Sequence, residues 1–375
     1  MSLIRVLITG GAGFIGSRLA RQLVQDGHSV RILDSLLPQV HGDSPQPEIH
    51  GCELIHADVR DQEAVLRAMQ GVDVVHHFAA ETGVGQSQYE IGRYVSVNTY
   101  GTAVVLEQAV AAQVRQVVIA SSRAVYGEGL YRCPGCEQTF VASGRRAAEM
   151  DTGNWEVACT QCGQAATSLP MTEIELPAPS SVYGLTKLQQ EQLASIVGQT
   201  HNLPVTSLRF FNVYGPGQSM RNPYVGVLGT FFRKALSGAP LEIYEDGKML
   251  RDFVFVDDVV EALRLATGNE QVFDRTLNVG TGEAVTLEAI AEEMFRALEI
   301  EPQTFISGRY RLGDVRHAVA DVSKLEAMLG FRPRISFAQG LKVYVTWALE
   351  NQTEAADAIA DEQLARHNLL RHGKQ

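Results

Sequence analysis

The sequence predicts an α/β fold: a doubly wound parallel sheet, a smaller C-terminal lobe, and a zinc-ribbon-like segment inserted into the first part. Three observations predict it. Strand-length apolar runs alternate with helical stretches through the first third, a glycine-rich turn joins the first run to the first helix, and two Cys-x-x-Cys hooks interrupt the rhythm at 133–136 and 159–162. Such alternation builds βαβ units, whose strands lie parallel with helices covering both faces.

In chain order, the first strand is read at 3–9, and the few residues before it carry neither a basic region nor a cleavage site. Further strands follow at 29–34, 53–58, 73–79 and 116–122, with helices at 16–26, 62–69 and 97–112 whose apolar residues recur three and four apart. Residues 36–50, with Pro38, Pro45 and Pro47, read as a surface loop. A helix at 185–198 leads into a sixth strand at 205–211. After Tyr214 the rhythm loosens into loops, short apolar runs at 253–256 and 277–279, and a helix at 287–298. The expected domains are therefore 1–215, interrupted by an insert at 130–170, and a lobe at 216–350 with some segments returning to the first domain. The tail 351–375 is polar and Ala-rich with no clear partner face, and reads as a frayed helix or partial disorder.

At 375 residues and 45% hydrophobic content, the chain can bury one large core or two modest ones. No apolar run reaches the length of a membrane span, so the expected location is the cytoplasm. A net charge of −11 argues against a nucleic-acid partner, and an anionic ligand would need local basic side chains and helix N-termini. Four of the five cysteines sit in the hooks and Cys52 stands apart, which suits metal binding in a reducing compartment better than a disulfide framework.

Gly10, Gly13, Phe14, Ile15 and Gly16 follow a strand and open a helix, the setting in which glycines let the backbone approach a pyrophosphate. Alone, the pattern is also an ordinary tight turn. Asp34, at the end of the second strand, can accept hydrogen bonds from ribose hydroxyls and would repel the extra phosphate of NADP. The combination reads as a Rossmann-type site for NAD. Tyr183 and Lys187, four residues apart, share a helix face, where a cation favours the ionised phenol and makes it a general base. A lone pair of this kind is equally a pair of surface residues, but Ser122 at the carboxyl end of the fifth strand adds a third group where ligands bind.

The two hooks, Cys133, Cys136, Cys159 and Cys162, are separated by 22 residues and can close one tetrahedral thiolate site. A redox pair would need one hook only, an Fe–S cluster usually has other spacings, and a catalytic zinc would keep a position open. Structural zinc is the expectation, with redox or disulfide use as the alternatives.

Together these residues resemble the extended short-chain dehydrogenase/reductase family, in its nucleotide-sugar epimerase and dehydratase branch. Further marks are His77-Phe78-Ala79-Ala80, Asn98, the run Arg209 to Pro216, and the run Arg251 to Asp258. The resemblance implies that Tyr183 is the base, Lys187 its tuner and a ribose ligand, and Ser122 a partner of the reacting sugar oxygen. It implies that Asp58 and Val59 meet the adenine and that Phe78, Ala79, Ala80 and Asn98 complete the NAD site. Thr82, Gly83, Val84 and Arg123 would approach the sugar, and Asn212 would hold the diphosphate. Arg251 and Arg311 would meet phosphates or ribose, Arg316 is a further candidate or a surface partner of Asp314, and Tyr224 stacks on a pyrimidine or packs in its loop.

Sugar 4,6-dehydratases carry an Asp–Glu acid/base pair after the strand-five serine or threonine; this chain has Arg123 and Ala124, which cannot move those protons. Ser122 and Tyr183 are 61 residues apart, the excess over simple epimerases holding both hooks, and this insert resembles that of the dTDP-L-rhamnose 4-epimerases. The expected activity is an NAD-dependent nucleotide-sugar 4-epimerase acting on a dTDP-6-deoxy-L-hexose. Alternatives are a UDP-hexose or UDP-hexuronate 4-epimerase, a 4-ketoreductase, and a non-catalytic NAD sensor whose zinc ribbon recruits a protein. By resemblance, a homodimer pairs the helices at 97–112 and 185–198 with their twins.

Overall fold

The computed structural model describes residues 3–42, 49–220, 222, 224, 226–351 and 357–374 and, of residues 357–359, the backbone alone. Pro45 and Pro47 of the expected loop, and residues 352–356 of the tail, lie outside the described residues.

Seven strands form one sheet: β1 Arg5–Thr9, β2 Ser29–Asp34, β3 Cys52–His56, β4 Val74–His77, β5 Gln116–Ser122, β6 Val205–Phe210 and β7 Arg275–Val279. Every neighbour pair is parallel, and the spatial order is β3-β2-β1-β4-β5-β6-β7. The order reverses between β1 and β4, so the crevice outside their carboxyl ends is a topological switch point, where ligands of such sheets bind. Gly10, Asp34, Phe78, Ser122 and Phe211 all leave the sheet on that edge. Burial follows from the parallel arrangement: β1 is buried after its first residue, and β4 and β6 are buried throughout.

The helix Phe14–Gln25 buries Gly16, Leu19, Ala20 and Leu23, one stripe at helical spacing, and begins directly after the glycine turn. The helix expected at 97–112 is divided into a π-helical Val95–Tyr100 and an α-helical Gly101–Ala111. The extra residue per turn directs Asn98 inward, an arrangement common beside functional sites. The helix expected from 185 begins at Val182, because the Ser181 side chain caps it by accepting from the Gly184 amide at 3.1 Å. Tyr183 therefore stands in the first turn, next to β5.

After β6 the chain builds the smaller lobe from the helices Val227–Leu236, Leu287–Leu298 and Phe337–Glu350, and returns through β7 to the sheet. Phe231, Phe232, Met294, Phe295 and Tyr344 join a core continuous with one face of the sheet. The insert has a core of its own, Tyr131, Ala142, Val157 and Ala166, beneath an antiparallel sheet of Leu130–Arg132, Thr139–Val141 and Thr167–Ser168.

The tail departs from expectation. Asp357–Arg366 is a helix, and Leu370–His372 pairs antiparallel with Arg309–Arg311. Ala360 and Leu364, four residues apart, are buried, and Leu364 packs over Gly85. Two apolar side chains in a polar stretch suffice when a ready strand edge supplies backbone partners.

Candidate functional site

Two cavities meet at Tyr183, one of about 660 Å³ over the sheet and one of about 760 Å³ between the sheet and the lobe. The first is lined by Gly10, Gly13, Phe14, Ile15, Gly16, Asp34, Asp58, Val59, Phe78, Ala79, Ala80, Thr82, Ser122 and Lys187. The glycine turn is a cradle that other residues would fill: a Cβ on Gly10, at φ +68°, would lie 2.7 Å from the Ala79 nitrogen, and one on Gly16 would lie 2.6 Å from the Gly10 oxygen. Asp34 is held for its position, accepting from the Ala12 amide at 3.0 Å and the Leu36 amide at 2.9 Å.

The second cavity is lined by Gly83, Val84, Arg123, Asn212, Tyr224, Arg251 and Arg311, together with the tail's Asp361, Leu364 and Leu369. Arg123 donates to the Asn212 side chain at 3.2 Å, and Arg251 pairs with Asp314 at 3.2 Å rather than with Asp257 or Asp258. The Arg311 guanidinium lies 5.1 Å from the Tyr244 ring centre and 3.3 Å from Asp361. Tyr224 shares a hydrogen bond with Tyr89, whose ring stacks on His367 of the tail at 4.5 Å.

Two expected ligands lie outside both cavities. Asn98 spends its amide on neighbours: its oxygen accepts from the Glu81 amide at 2.7 Å, and its nitrogen donates to the Glu81 carbonyl at 3.1 Å and the Thr186 hydroxyl at 3.0 Å. It braces the turn leading to Thr82. Arg316 is fully buried and claimed by Glu156 at 2.6 Å, Glu245 at 2.8 Å and Asp246 at 2.7 Å, so it is neither a cavity residue nor a surface partner of Asp314.

At the junction, Ser122 hydrogen-bonds the Tyr183 phenol. Burial raises that phenol above its usual range, opposed by Ser122 and by the Arg123 cation. The Lys187 ammonium donates to the Ala120 carbonyl at 2.9 Å, stands 6.0 Å from the Tyr183 ring centre, and is brought down to about 7 by burial against the opposing charge of Glu191. The Arg123 cation also favours the ionised phenol. His77 is structural: its ring joins Thr9 at 2.8 Å and Thr102 at 2.9 Å, and burial pushes it down to about 3.

Behind the junction, Glu191 receives Arg209 through two hydrogen bonds of 2.9 and 2.7 Å and also accepts from Ser121. Glu191 was not singled out in the sequence, although it stands four residues after Lys187 on the same helix face. Chemically, the arrangement can move a proton between the phenol and a hydroxyl in the second cavity, next to a redox group in the first.

The four cysteines converge at the outer end of the insert, all Sγ atoms lying within 4.8 Å of one another. Cys133 and Cys162 stand 3.4 Å apart and Cys136 and Cys159 3.5 Å, and none of the four is in a disulfide. No described helix is long and apolar enough to cross a membrane.

The profile of the NAD dependent epimerase/dehydratase family matches residues 6–144 and 158–280. The chain is 36% identical over 352 residues to a dTDP-L-rhamnose 4-epimerase of Burkholderia thailandensis, covering 92% of this chain and 94% of that one. Among solved structures, MoeE5 in complex with UDP-glucuronic acid and NAD is 32% identical with a TM-score of 0.75, covering 92% of this chain and 99% of that one. A UDP-glucose 4-epimerase of Thermotoga maritima with UDP-glucose is 27% identical with a TM-score of 0.76, covering 93% and 100%.

Proposed function

The chain belongs to the NAD dependent epimerase/dehydratase family, and on that premise we propose that it is an NAD-dependent nucleotide-sugar 4-epimerase. The observation that carries this reading is Tyr183 at the meeting point of the two cavities, with Ser122 and Lys187 beside it and no carboxylate at positions 123 and 124. The glycine cradle and Asp34 suit NAD, which when bound accepts the C4 hydride and returns it. Tyr183 takes the C4 hydroxyl proton, helped by the Arg123 cation, and gives it back after the 4-keto sugar has turned. Ser122 holds the reacting oxygen against the phenol. The roomy second cavity permits the turn, while Asn212, Arg251 and Arg311 hold the diphosphate end.

A dTDP-6-deoxy-L-hexose such as dTDP-L-rhamnose is the favoured substrate, supported by the 36% identical relative. A UDP-hexuronate is the second reading, supported by the MoeE5 likeness and by Arg123, which has no ion-pair partner among the described residues. The cysteine cluster suits a structural zinc, since four thiolates fill its tetrahedron and leave no open position. A homodimer is supported by exposed Tyr100, Leu185 and Ile196 on the helices expected to pair, with exposed Ile91 and Val95 just before the first of them.

The test is NMR analysis of products from dTDP-L-rhamnose, UDP-glucose, UDP-glucuronate and GDP-mannose without added cofactor. The C4 epimer of one substrate is expected, and Tyr183→Phe should retain NAD without forming it. Stoichiometric consumption of NAD(P)H would point to a ketoreductase instead, and absence of turnover on every substrate to a sensor.

A further inference from the structure

The insert meets the walls of the second cavity at several points: Asp151 and Trp155 contact Tyr310, and Arg145 reaches Glu245 and Asp314. Arg145, between the two hooks, has a side chain only 3% exposed that makes four hydrogen bonds and an ion pair. Its Nε donates to Glu128 at 3.0 Å, Nη1 to the Trp155 carbonyl at 3.3 Å and to Glu245 at 2.8 Å, and Nη2 to the Asp314 carbonyl at 3.0 Å while lying 2.8 Å from the second Glu245 oxygen. Two of these acceptors, Glu245 and Asp314, belong to segments that line the second cavity. Asp314 is also the carboxylate that holds Arg251. Contacts therefore run from the insert through Arg145 to Asp314 and on to Arg251, whose guanidinium is also held by the Leu250, Val315 and Arg316 carbonyls.

Glu245 carries an independent mark of this arrangement. It is 2% exposed and adopts φ +55°, a left-handed conformation that is strained for an ordinary side chain. Glycine would fit without strain, yet the carboxylate occupies the position and receives both Arg145 and Arg316. Glu156, three residues before Cys159, anchors the same cluster from the second hook by pairing with Arg316 and His317. Strain and buried charge are thus concentrated where the insert meets the cavity wall.

We infer that Arg145 is a positioning residue for the nucleotide-sugar cavity, through which the four-cysteine insert sets affinity for the nucleotide diphosphate. This rests on the nucleotide-sugar reading of that cavity. Arg145 does not touch the reacting atoms. It fixes Glu245 and Asp314, and through Asp314 it helps to hold Arg251, so its loss weakens binding while leaving the proton chemistry at Tyr183 in place. A lysine cannot replace it, because one ammonium cannot serve acceptors spread over four residues.

The test is isothermal titration calorimetry of the full-length NAD-loaded protein with dTDP and with UDP, beside steady-state kinetics on the substrate identified above. Arg145→Met, Arg145→Lys and Glu245→Gly are the variants, the last retaining a backbone free of strain should the first fail to fold. The expected result is at least a tenfold loss of nucleotide affinity and a matching rise in KM in each, with kcat within about threefold and bound NAD unchanged. Unchanged affinity in folded variants whose thermal stability falls would overturn the inference and leave Arg145 a purely structural rivet. Failure of the unaltered protein to bind either nucleotide would overturn the substrate reading, and this inference with it.

Discussion

At the residue scale, the chemistry turns on how a buried phenol becomes a base. Burial alone raises Tyr183, and the opposing influences in the structure are the Ser122 hydrogen bond and the Arg123 cation. Removing a cation disfavours the phenolate, so Arg123→Met should move the acid limb of the kcat/KM profile to higher pH by about 1 unit. An unmoved limb would show that Arg123 leaves the base alone. Tyr183, Lys187 and Ser122 were legible in the sequence because a helix face and a strand end have fixed geometry. Arg316 was misread, since only the fold brings Glu156, Glu245 and Asp246 around it. Arg145 carried no signal at all, its partners being spread from Glu128 to Asp314.

At the element scale, the insert stands on a small core and a cluster of four thiols. Four side chains, Tyr131, Ala142, Val157 and Ala166, are a slender core for a segment of this length. A metal would supply what that core lacks. The purified protein should contain one zinc per chain, and Cys136→Ser should release it, with amide exchange rising across residues 130–170 while β1, β4 and β5 stay protected. Protection of the insert that persists without metal would remove zinc from its folding. Periodicity revealed the strands of the large sheet and five helices, but not the helices Val227–Leu236, Val256–Ala266 and Phe337–Glu350, nor the tail. Its antiparallel pairing with Arg309–Arg311 is made by backbone groups, and the Ala360 and Leu364 stripe is too short to stand out from a polar stretch.

At the scale of the whole molecule, the smaller lobe shares the core on one face of the sheet, and strand β4 of that sheet buries two histidines. Burial pushes both His76 and His77 down to about 3, against an ordinary value near 6.5. Below that ordinary value the unfolded chain binds more protons than the folded one. The stability these groups contribute is therefore complete above about pH 6.5 and is lost as pH falls toward their folded values. Glu156, held down to about 2 through His317 and Arg316 despite its burial, adds a further loss below about pH 4.5. Denaturant midpoints should fall from pH 6.5 to 4, and His76→Gln, which can keep the bond to Thr267, should flatten that slope. An identical slope in the variant would place the acid sensitivity elsewhere. The parallel sheet was legible from the alternation of apolar runs, but the strand order that sets its switch point was not. Nor was the second cavity, because its walls come from stretches spread from Gly83 to Leu369, including the tail.

In the proposed epimerase, the hydrogen removed from C4 of the sugar is the one returned to the other face of the same molecule. Incubation of a nucleotide sugar deuterated at C4, without added cofactor, followed by mass spectrometry and NMR of the product, measures this most directly. A C4 epimer that keeps its deuterium at C4 is expected. Loss of the label, or a requirement for added NAD(P)H, would contradict it.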